Sequence, residues 1–190
     1  MYQKYHTEAI VLGSFDSGEA DRTIVLFTRD FGLVRARATG IRSEHSKMRY
    51  AVQHFAYAYT SLIKGKRGWR LAGATARVHP TGDLRGIAAF ARIAELTVRL
   101  VAGEEKNEYL FEVLAEAHRA LMQHHVPAVA TIEIVCAARV LYALGYLSAE
   151  ALETALFTHT AYADQHLLEA EGLRDKLLHS INKAISETHL

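Results

Sequence analysis

The hydrophobic residues of this 190-residue chain change their spacing once, at Pro80. Before Pro80, short runs rich in Ile, Val, Leu and Phe alternate with turn-like residues, a pattern typical of β-strands. After Pro80, apolar residues recur every three or four positions, as they do along one side of an α-helix. The pattern predicts an α+β protein with two domains, a β-domain over residues 1–80 and an α-helical domain over residues 81–190.

Five strands are predicted in the first domain, over residues 7–15, 22–28, 33–39, 54–64 and 69–78. Asp30-Phe31-Gly32 joins the second and third strands, and Gly65-Lys66-Arg67-Gly68 joins the last two. Residues 40–50 are polar and basic, which indicates a long loop. Five short strands with one longer insertion suit a small closed barrel of the OB type. The spacing alone does not separate this barrel from an SH3-like one.

The second domain is expected to contain helices over residues 84–101, 109–121, 127–144 and 149–157, and a last helix that follows Gly172 and ends near Glu187. Pro127 suits the first turn of the third helix, and Gly145 is placed to stop it. Ser148 can cap the fourth helix.

The basic residues are concentrated in one part of the chain. From Phe31 to Pro80 there are ten Lys or Arg and one acidic residue, Glu44. Residues 1–80 carry 13 basic and 6 acidic side chains, whereas residues 81–190 carry 9 and 15, so the formal net charge of +1 hides two oppositely charged halves. A concentrated positive field attracts polyanions, and nucleic acid is the partner that it favours.

The alternation of residues 33–39 predicts which face of the strand carries the basic side chains. With a period of two, Arg35 and Arg37 share one face, while Val34, Ala36 and Ala38 share the other and suit a barrel interior. We therefore predict a DNA-binding groove on the outer surface, formed by Arg35, Arg37, Arg42, Lys47, Arg49, Lys64, Lys66 and Arg67. The alternative is an exposed surface that only keeps the protein in solution.

Aromatic residues near the end of the barrel allow two interpretations. Phe55, Tyr57 and Tyr59 alternate along the fourth strand and could stack on unpaired bases, but a place in the core or against the helices is the favoured interpretation. Trp69 fits either role equally well.

The helical half begins with an acidic stretch, Glu104, Glu105, Glu108, Glu112 and Glu116. Such a run usually forms a solvated helix face, which is the favoured interpretation. The alternatives are a docking surface for a basic partner and a repulsive surface that keeps DNA on the barrel.

Several classes of function find no support in the residues. The eleven histidines, including His124, His125, His159 and His166, do not have the spacing of a known metal site, and there is no phosphate loop or nucleophile motif. Cys136 is alone, so no internal disulfide forms, and a lone cysteine is usual in a reducing cytoplasm. No apolar run reaches the roughly 18–20 residues of a membrane span. We expect a cytoplasmic, nucleoid-associated protein without catalytic activity, cofactor or metal.

Several segments also resemble a known family, the RecO family of bacterial recombination mediators. The resemblance lies in the order and identity of residues 7–12, 18–22, 27–33, 38–42, 51–55 and 64–68. It continues more weakly in the helical half, at Leu144-Gly145-Tyr146 and over residues 181–185.

The resemblance implies an OB-fold followed by a helical domain that has no catalytic activity. It implies binding to single- and double-stranded DNA, annealing of complementary strands, and work with RecR and RecF to load RecA onto DNA coated by single-stranded-DNA-binding protein. In some members the helical domain also receives the C-terminal tail of single-stranded-DNA-binding protein. The family's basic barrel surface maps here onto Arg35, Arg37, Arg42, Lys47 and Arg49.

Two departures from the family modify these expectations. Many members carry a four-cysteine zinc module after the Leu-Gly-Tyr element, but this chain has no cysteine there, which predicts that it binds no zinc. Thr39 stands where a lysine is common, and Glu44 makes the long loop less basic, so a weaker or shifted DNA surface is expected.

The resulting hypothesis is a non-enzymatic, DNA-binding mediator of recombinational repair. Two other classes remain open at this point, because basic barrels bind RNA as readily as DNA. One is an OB-fold RNA-binding or ribosome-associated module, and the other is a protein-interaction scaffold whose basic face meets an acidic protein.

Overall fold

The first domain folds as a five-stranded barrel. The structure, a computed structural model, describes residues 3–123, 128–152 and 154–188. The strands within these residues are β1 (Lys4–Asp16), β2 (Arg22–Thr28), β3 (Gly32–Ala38), β4 (Tyr57–Gly65) and β5 (Gly68–Val78). They form a closed barrel in the order β1-β2-β3-β5-β4, in which β3 and β5 pair in parallel and the other neighbours are antiparallel. The predicted OB-type barrel is confirmed.

β1 is long enough to pair with two neighbours. Its first half pairs with β4, from Lys4 to Ile10, and its second half pairs with β2, from Ala9 to Asp16. The register with β2 shifts between Val11 and Gly13, which marks a β-bulge. Since a bulge bends a strand and increases its twist, it lets β1 curve around the barrel and close it.

The interior of the barrel is filled by the inward residues of all five strands. Along β3, Val34, Ala36 and Ala38 are buried, whereas Arg35 and Arg37 are exposed, as the alternation predicts. Trp69 on β5 joins the same core and is only 5% exposed. Its ring lies 5.6 Å from that of Tyr5 and 5.1 Å from that of Phe31. Trp69 is therefore a core residue and presents no surface for bases.

The segment between β3 and β4 is a series of turns. Successive backbone bonds tie Ser43 to Gly40, Ser46 to Ser43 and Ala51 to Met48. β4 begins at Tyr57, three residues later than the sequence predicts, because Phe55 adopts a left-handed conformation with φ of 64° that an extended strand does not allow. The N–H of Phe55 donates to the carbonyl of Val11 at 2.9 Å and fixes this bend against β1.

The chain beyond Pro80 is helical. The helices of the described residues are α1 (Leu84–Leu100), α2 (Glu108–Leu121), α3 (Val129–Ala143), α4 (Ala149–Leu152), α5 (Asp164–Gly172) and α6 (Arg174–Glu187). The Asp83 carboxylate caps α1 by accepting the Gly86 N–H at 2.8 Å. The central helix of the bundle is α3, which packs against α1, α5 and α6.

Two parts of the helical prediction were wrong. The fourth helix ends at Leu152 and residues 156–158 form a turn, whereas the sequence predicted a helix to Phe157. α5 was not predicted, because its apolar residues do not form a stripe: Ala170 is its buried residue, and Leu168 is 74% exposed. Pro127, expected in the first turn of the third helix, lies outside the described residues.

The chain divides into two compact units. The first, called the barrel unit below, comprises Met1–Pro80 and Ala102–Phe111. The second, called the helical unit, comprises Thr81–Val101 and Glu112–Leu190. The barrel unit thus includes a short segment from the sequence between α1 and the first turn of α2. Within the described residues, no helix has both the length and the apolar character to cross a membrane.

Candidate nucleic-acid interface

The pairing of β3 with β5 brings basic residues from distant parts of the sequence together. Arg37 on β3 is paired with Arg70 on β5, and neighbouring strands lie about 4.8 Å apart. Both side chains are exposed, since the residues next to them, Ala36 and Trp69, occupy the barrel interior. Arg70 was not among the predicted site residues. Arg70 follows Trp69 on β5, so the two side chains lie on opposite faces of the strand, but the sequence does not indicate which strand β5 pairs with.

The turn between β4 and β5 adds two more cations. Lys66 and Arg67 are exposed, and together with Arg37 and Arg70 they line a cavity of about 410 Å³. Arg35 lies two residues before Arg37 on the same exposed face of β3, about 7 Å along the strand. We call these five residues the basic face: Arg35, Arg37, Lys66, Arg67 and Arg70. Four of them were predicted as site residues.

One carboxylate, that of Asp21, holds Arg37 of the basic face in place. The Asp21 side chain accepts hydrogen bonds from Arg37, at 3.1 Å from Nε and 2.7 Å from Nη2, while its other oxygen accepts the Gly40 N–H at 2.8 Å. The Gly40 N–H and the Arg37 guanidinium hold the pKa of Asp21 below its usual value, so this carboxylate is ionised at neutral pH. Arg37 is thereby fixed in position, and the Asp21 carboxylate partly neutralises its positive charge. Within the described residues the other four cations have no carboxylate partner.

Arg42 and Arg49 lie around a different cavity. It has a volume of about 570 Å³, and Arg22, Tyr50 and His54 also line it. We call it the arginine cavity. Asp16 pairs with Arg22 at 2.8 Å and with Arg42 at 3.3 Å. The sequence predicted Arg42 and Arg49 as site residues but did not indicate Arg22 or Tyr50.

The remaining two predicted residues are not part of either group. Lys47 is exposed and lines a third cavity, of about 1340 Å³, together with uncharged polar residues such as Ser43, Ser46 and Ser61. The Lys64 ammonium pairs with Glu104 at 2.8 Å and lies 5.1 Å from the centre of the Trp69 ring. This contact lowers the pKa of Glu104. The charge of Lys64 is therefore already paired with a carboxylate of the barrel unit.

The aromatic residues divide between core and surface. Tyr57 is buried, and its ring lies 6.2 Å from that of Phe111, in agreement with the favoured interpretation. For Tyr59 the favoured interpretation was wrong, because the residue is 51% exposed; Arg77 lies over its ring at 5.5 Å. Phe55 is partly buried at the bend before β4. Tyr50 is 56% exposed, and it is an aromatic residue that the sequence pattern did not indicate.

Acidic residues that lie outside the segment from Phe31 to Pro80 pair with its basic side chains and reduce its net positive charge. In sequence, Phe31 to Pro80 contains one acid, but in the fold Asp16, Asp21 and Glu104 pair with its basic residues. The stretch from Glu104 to Glu116 is also engaged in part: besides Glu104, the Glu116 carboxylate accepts from Arg119 at 2.6 Å. Within the described residues, the basic side chains of this segment that have no carboxylate partner are those of the basic face other than Arg37, together with Lys47 and Arg49.

Other candidate sites receive no support. Among the described residues there is no group of three or more His, Cys, Asp or Glu side chains that could hold a metal ion. His159 and His166 stack with their rings 4.8 Å apart, and His124 and His125 lie outside the described residues. Cys136 is fully buried, and this burial raises the pKa of its thiol to about 12. Such a thiol is not a nucleophile at neutral pH.

Comparison with known proteins links these features to one family. Residues 1–72 match the model for the N-terminal part of recombination protein O, and residues 81–149 match the model for its C-terminal part. The two matched ranges together take in most of the chain and follow each other in the same order as the barrel and the helices.

Individual relatives show the same similarity. The chain is 44% identical over 62 residues to the DNA repair protein RecO of Desulfitobacterium hafniense, which covers 33% of this chain and 23% of that protein. It is 30% identical over 130 residues to the RecO of Gloeothece citriformis, covering 67% of this chain and 46% of the relative. For the RecO of Pelotomaculum thermopropionicum the identity is 32% over 120 residues, covering 62% and 47%. The matches span less than half the length of each of these relatives.

Proposed function

This chain belongs to the RecO family, and from that membership together with the geometry of the basic face we propose that it is a non-enzymatic DNA-binding mediator of recombinational repair. It binds single- and double-stranded DNA through the barrel unit. Annealing of complementary strands follows from that binding, because a cationic surface lowers the repulsion between two phosphate backbones.

The observation that carries the proposal is the position of the basic face. Proteins with the OB fold bind oligonucleotides on the surface of β2 and β3 and on the loops between β1 and β2 and between β4 and β5. Arg35 and Arg37 lie on β3, and Lys66 and Arg67 lie in the loop between β4 and β5. Arg70 extends the same surface onto β5. Five cations and one carboxylate, Asp21, leave a clear excess of positive charge at the place where the fold binds nucleic acid.

The chemistry of this surface explains the mode of binding. Guanidinium and ammonium groups contact phosphate oxygens, which every sequence presents equally, so binding is largely independent of base sequence. If all five cations contact phosphates, the logarithm of the binding constant for single-stranded DNA falls with the logarithm of salt concentration with a slope of about −3.5. Binding of this type can be reversed, which a mediator needs when it passes DNA from one protein to another.

The partner proteins form a second part of the proposal. We assign to the helical unit the recruitment of RecR and RecF and of the C-terminal tail of single-stranded-DNA-binding protein, so that RecA is loaded without chemical catalysis. The support is the match of residues 81–149 to the C-terminal family model and the helical bundle that these residues begin. Pull-down of the purified chain with RecR and with RecF, and titration with the tail peptide, test each partner separately; absence of binding to all three at low salt contradicts this part.

Titration of a fluorescent oligo(dT) at several salt concentrations, read by anisotropy, tests the DNA proposal. Arg35→Ala and Arg70→Ala are each expected to weaken binding about 5- to 10-fold and to make the salt slope shallower by about 0.7, because each removes one phosphate contact. Arg85→Ala is the matched control, since Arg85 is a strongly exposed arginine in α1 of the helical unit. We expect it to bind as the wild type does.

Two outcomes would contradict the proposal. If the wild-type chain does not bind DNA at low salt, it is not a DNA-binding mediator. If Arg85→Ala weakens binding as much as Arg35→Ala does, the basic face is not the site. A parallel titration with RNA of equal length addresses the RNA-binding alternative, which clearly tighter binding of RNA would favour.

A further inference from the structure

The arginine cavity has the features of a second, separate contact for DNA. It lies where the turns between β3 and β4 meet β1 and β2, and its apolar floor includes Ile24, Ile41 and Val52 from the barrel core. At about 570 Å³ it falls within the range of about 300–1,000 Å³ that is usual for small-ligand sites. A single nucleotide is of the size that such a cavity accommodates.

The turns around the cavity are held in place before any ligand binds. The Arg42 N–H donates to the carbonyl of Ala20 at 3.1 Å, which ties the start of the segment to the β1–β2 loop. The His54 ring bonds to the Ser14 hydroxyl at 2.9 Å, which ties the end of the segment to β1. A site whose walls are already ordered loses less conformational entropy when a ligand binds.

The charge of the cavity suits a phosphate. Arg22, Arg42 and Arg49 contribute three positive charges, and Asp16 offsets one of them by pairing with both Arg22 and Arg42. Arg49 has no carboxylate partner within the described residues and bonds instead to the Tyr50 hydroxyl at 2.8 Å. The cavity therefore keeps an excess of about two positive charges next to an aromatic ring.

The arginine cavity also has an exposed aromatic side chain, that of Tyr50, which the basic face does not have. Its side chain is 56% exposed, and the Arg49 guanidinium lies 4.9 Å from the centre of its ring. An aromatic ring supported by an arginine is a suitable surface for stacking an unpaired base, whereas the bases of a duplex are already stacked on one another. Arginines that can contact a phosphate next to an exposed ring suit a single strand better than a duplex.

We propose that the arginine cavity binds one unpaired nucleotide of single-stranded DNA, with its phosphate at Arg22, Arg42 and Arg49 and its base stacked on Tyr50. This inference rests on the proposed function, because it assumes that the chain binds DNA. It extends that function by adding a contact that is selective for single strands, in a cavity that is separate from the basic face.

The test compares three probes on the full chain: oligo(dT), a duplex of equal length, and an abasic oligonucleotide with the same number of phosphates. Tyr50→Ala is expected to weaken binding of oligo(dT) about 5- to 100-fold, since base-aromatic stacking contributes that much to affinity. Its affinity for the duplex and for the abasic strand is expected to stay within about twofold of wild type. Tyr50→Phe keeps the ring and is expected to bind oligo(dT) within about threefold of wild type.

Tyr59→Ala is the matched control, because Tyr59 is a similarly exposed tyrosine of the barrel unit that does not line this cavity. It is expected to leave all three affinities unchanged. If wild type binds DNA but Tyr50→Ala loses no more than twofold on oligo(dT), or loses equally on the abasic strand, the nucleotide site is wrong and the proposed function stands. If wild type binds none of the probes at low salt, both the function and this inference are wrong.

Discussion

Arg37 in the barrel unit and Arg139 in the helical unit show the same side chain held in two opposite ways. The side chain of Arg37 is 60% exposed and is fixed by the Asp21 carboxylate. Arg139 is fully buried, and its guanidinium donates to the carbonyls of Leu156, Thr160 and Ala161 at 2.8–3.1 Å. An exposed guanidinium remains available to a phosphate. A buried guanidinium is not, because its N–H groups already donate hydrogen bonds to backbone carbonyls.

The comparison explains why charge alone does not identify a site. Arg139 also lies 4.8 Å from the centre of the Tyr162 ring, so it anchors the segment that follows α4, where there is little regular structure. A buried arginine in this position contributes to the stability of the helical unit. Arg37 contributes little to stability, because water screens an exposed ion pair and the two side chains lose freedom when they form it.

The largest effect that follows from this comparison is on stability. Arg139→Met is expected to lower the free energy of unfolding by about 3–5 kcal/mol, because the buried guanidinium is lost and three carbonyl groups, one buried and two partly buried, lose their hydrogen-bond donor. Urea unfolding followed by circular dichroism at 222 nm measures the loss.

Arg92→Met is the matched control for this prediction. Arg92 is in the same unit and pairs with Glu133 at 2.6 Å, but its side chain is 59% exposed, so we expect a loss of no more than about 1 kcal/mol. Equal losses for the two variants would mean that burial does not separate the two kinds of arginine.

The second prediction concerns the hairpin that presents Arg35 and Arg37. Gly32 is the first residue of β3, directly after the β2–β3 turn, and has φ of 63°; a Cβ at this position would lie 2.1 Å from the carbonyl oxygen of Glu105. Gly32→Ala is therefore expected to destabilise the barrel unit by about 2–4 kcal/mol, from left-handed strain and from the steric clash. Trp69 is the single tryptophan of the chain and lies in the barrel core, so its fluorescence during urea unfolding reports this unit.

Gly40→Ala separates the two causes. Gly40 has φ of 66°, but nothing lies within 4 Å of a Cβ placed there, so it carries the backbone strain without the clash. We expect a loss of about 1 kcal/mol for this variant. If both variants lose the same amount, the approach of Glu105 to the β2–β3 turn does not matter for stability.

The features that depend on local patterns could be predicted from the sequence. The alternation of Val34, Arg35 and Ala36 has a period of two, and it correctly predicts the exposed and buried faces of β3. The change of pattern at Pro80 likewise predicted the order of barrel and helices.

The features that depend on pairing over long distances could not be predicted. Arg70 lies beside Arg37 only because β5 pairs in parallel with β3. Asp16 and Asp21 reduce the net charge of the segment from Phe31 to Pro80, although both lie outside it in the sequence. Tyr50 gave no periodic pattern because it lies in a loop. The start of β4 was misplaced because the left-handed conformation of Phe55 arises from its bond to Val11 rather than from its residue type.

The smallest expected effect concerns the carboxylate that holds Arg37. The pKa of Asp21 is lowered in the folded state by the Gly40 N–H and by Arg37, so its contribution to stability is fully present above the pKa of the unfolded chain, about 3.9. That contribution is lost as the pH falls through the lowered folded pKa. Asp21→Asn is therefore expected to make the stability of the barrel unit less dependent on pH below about pH 5, as measured by Trp69 fluorescence in urea.

The same substitution also tests whether Asp21 restrains Arg37 in DNA binding. The amide introduced by Asp21→Asn carries no charge, so the basic face would gain a full positive charge, and we expect oligo(dT) to bind more tightly with a steeper salt slope. Glu19→Gln is the control, because it removes a nearby carboxylate that has no ion pair within the described residues. If the control increases affinity as much as Asp21→Asn, the gain comes from overall charge alone. A larger gain for Asp21→Asn means that the exposed arginine, once released from its carboxylate, contacts the phosphate directly.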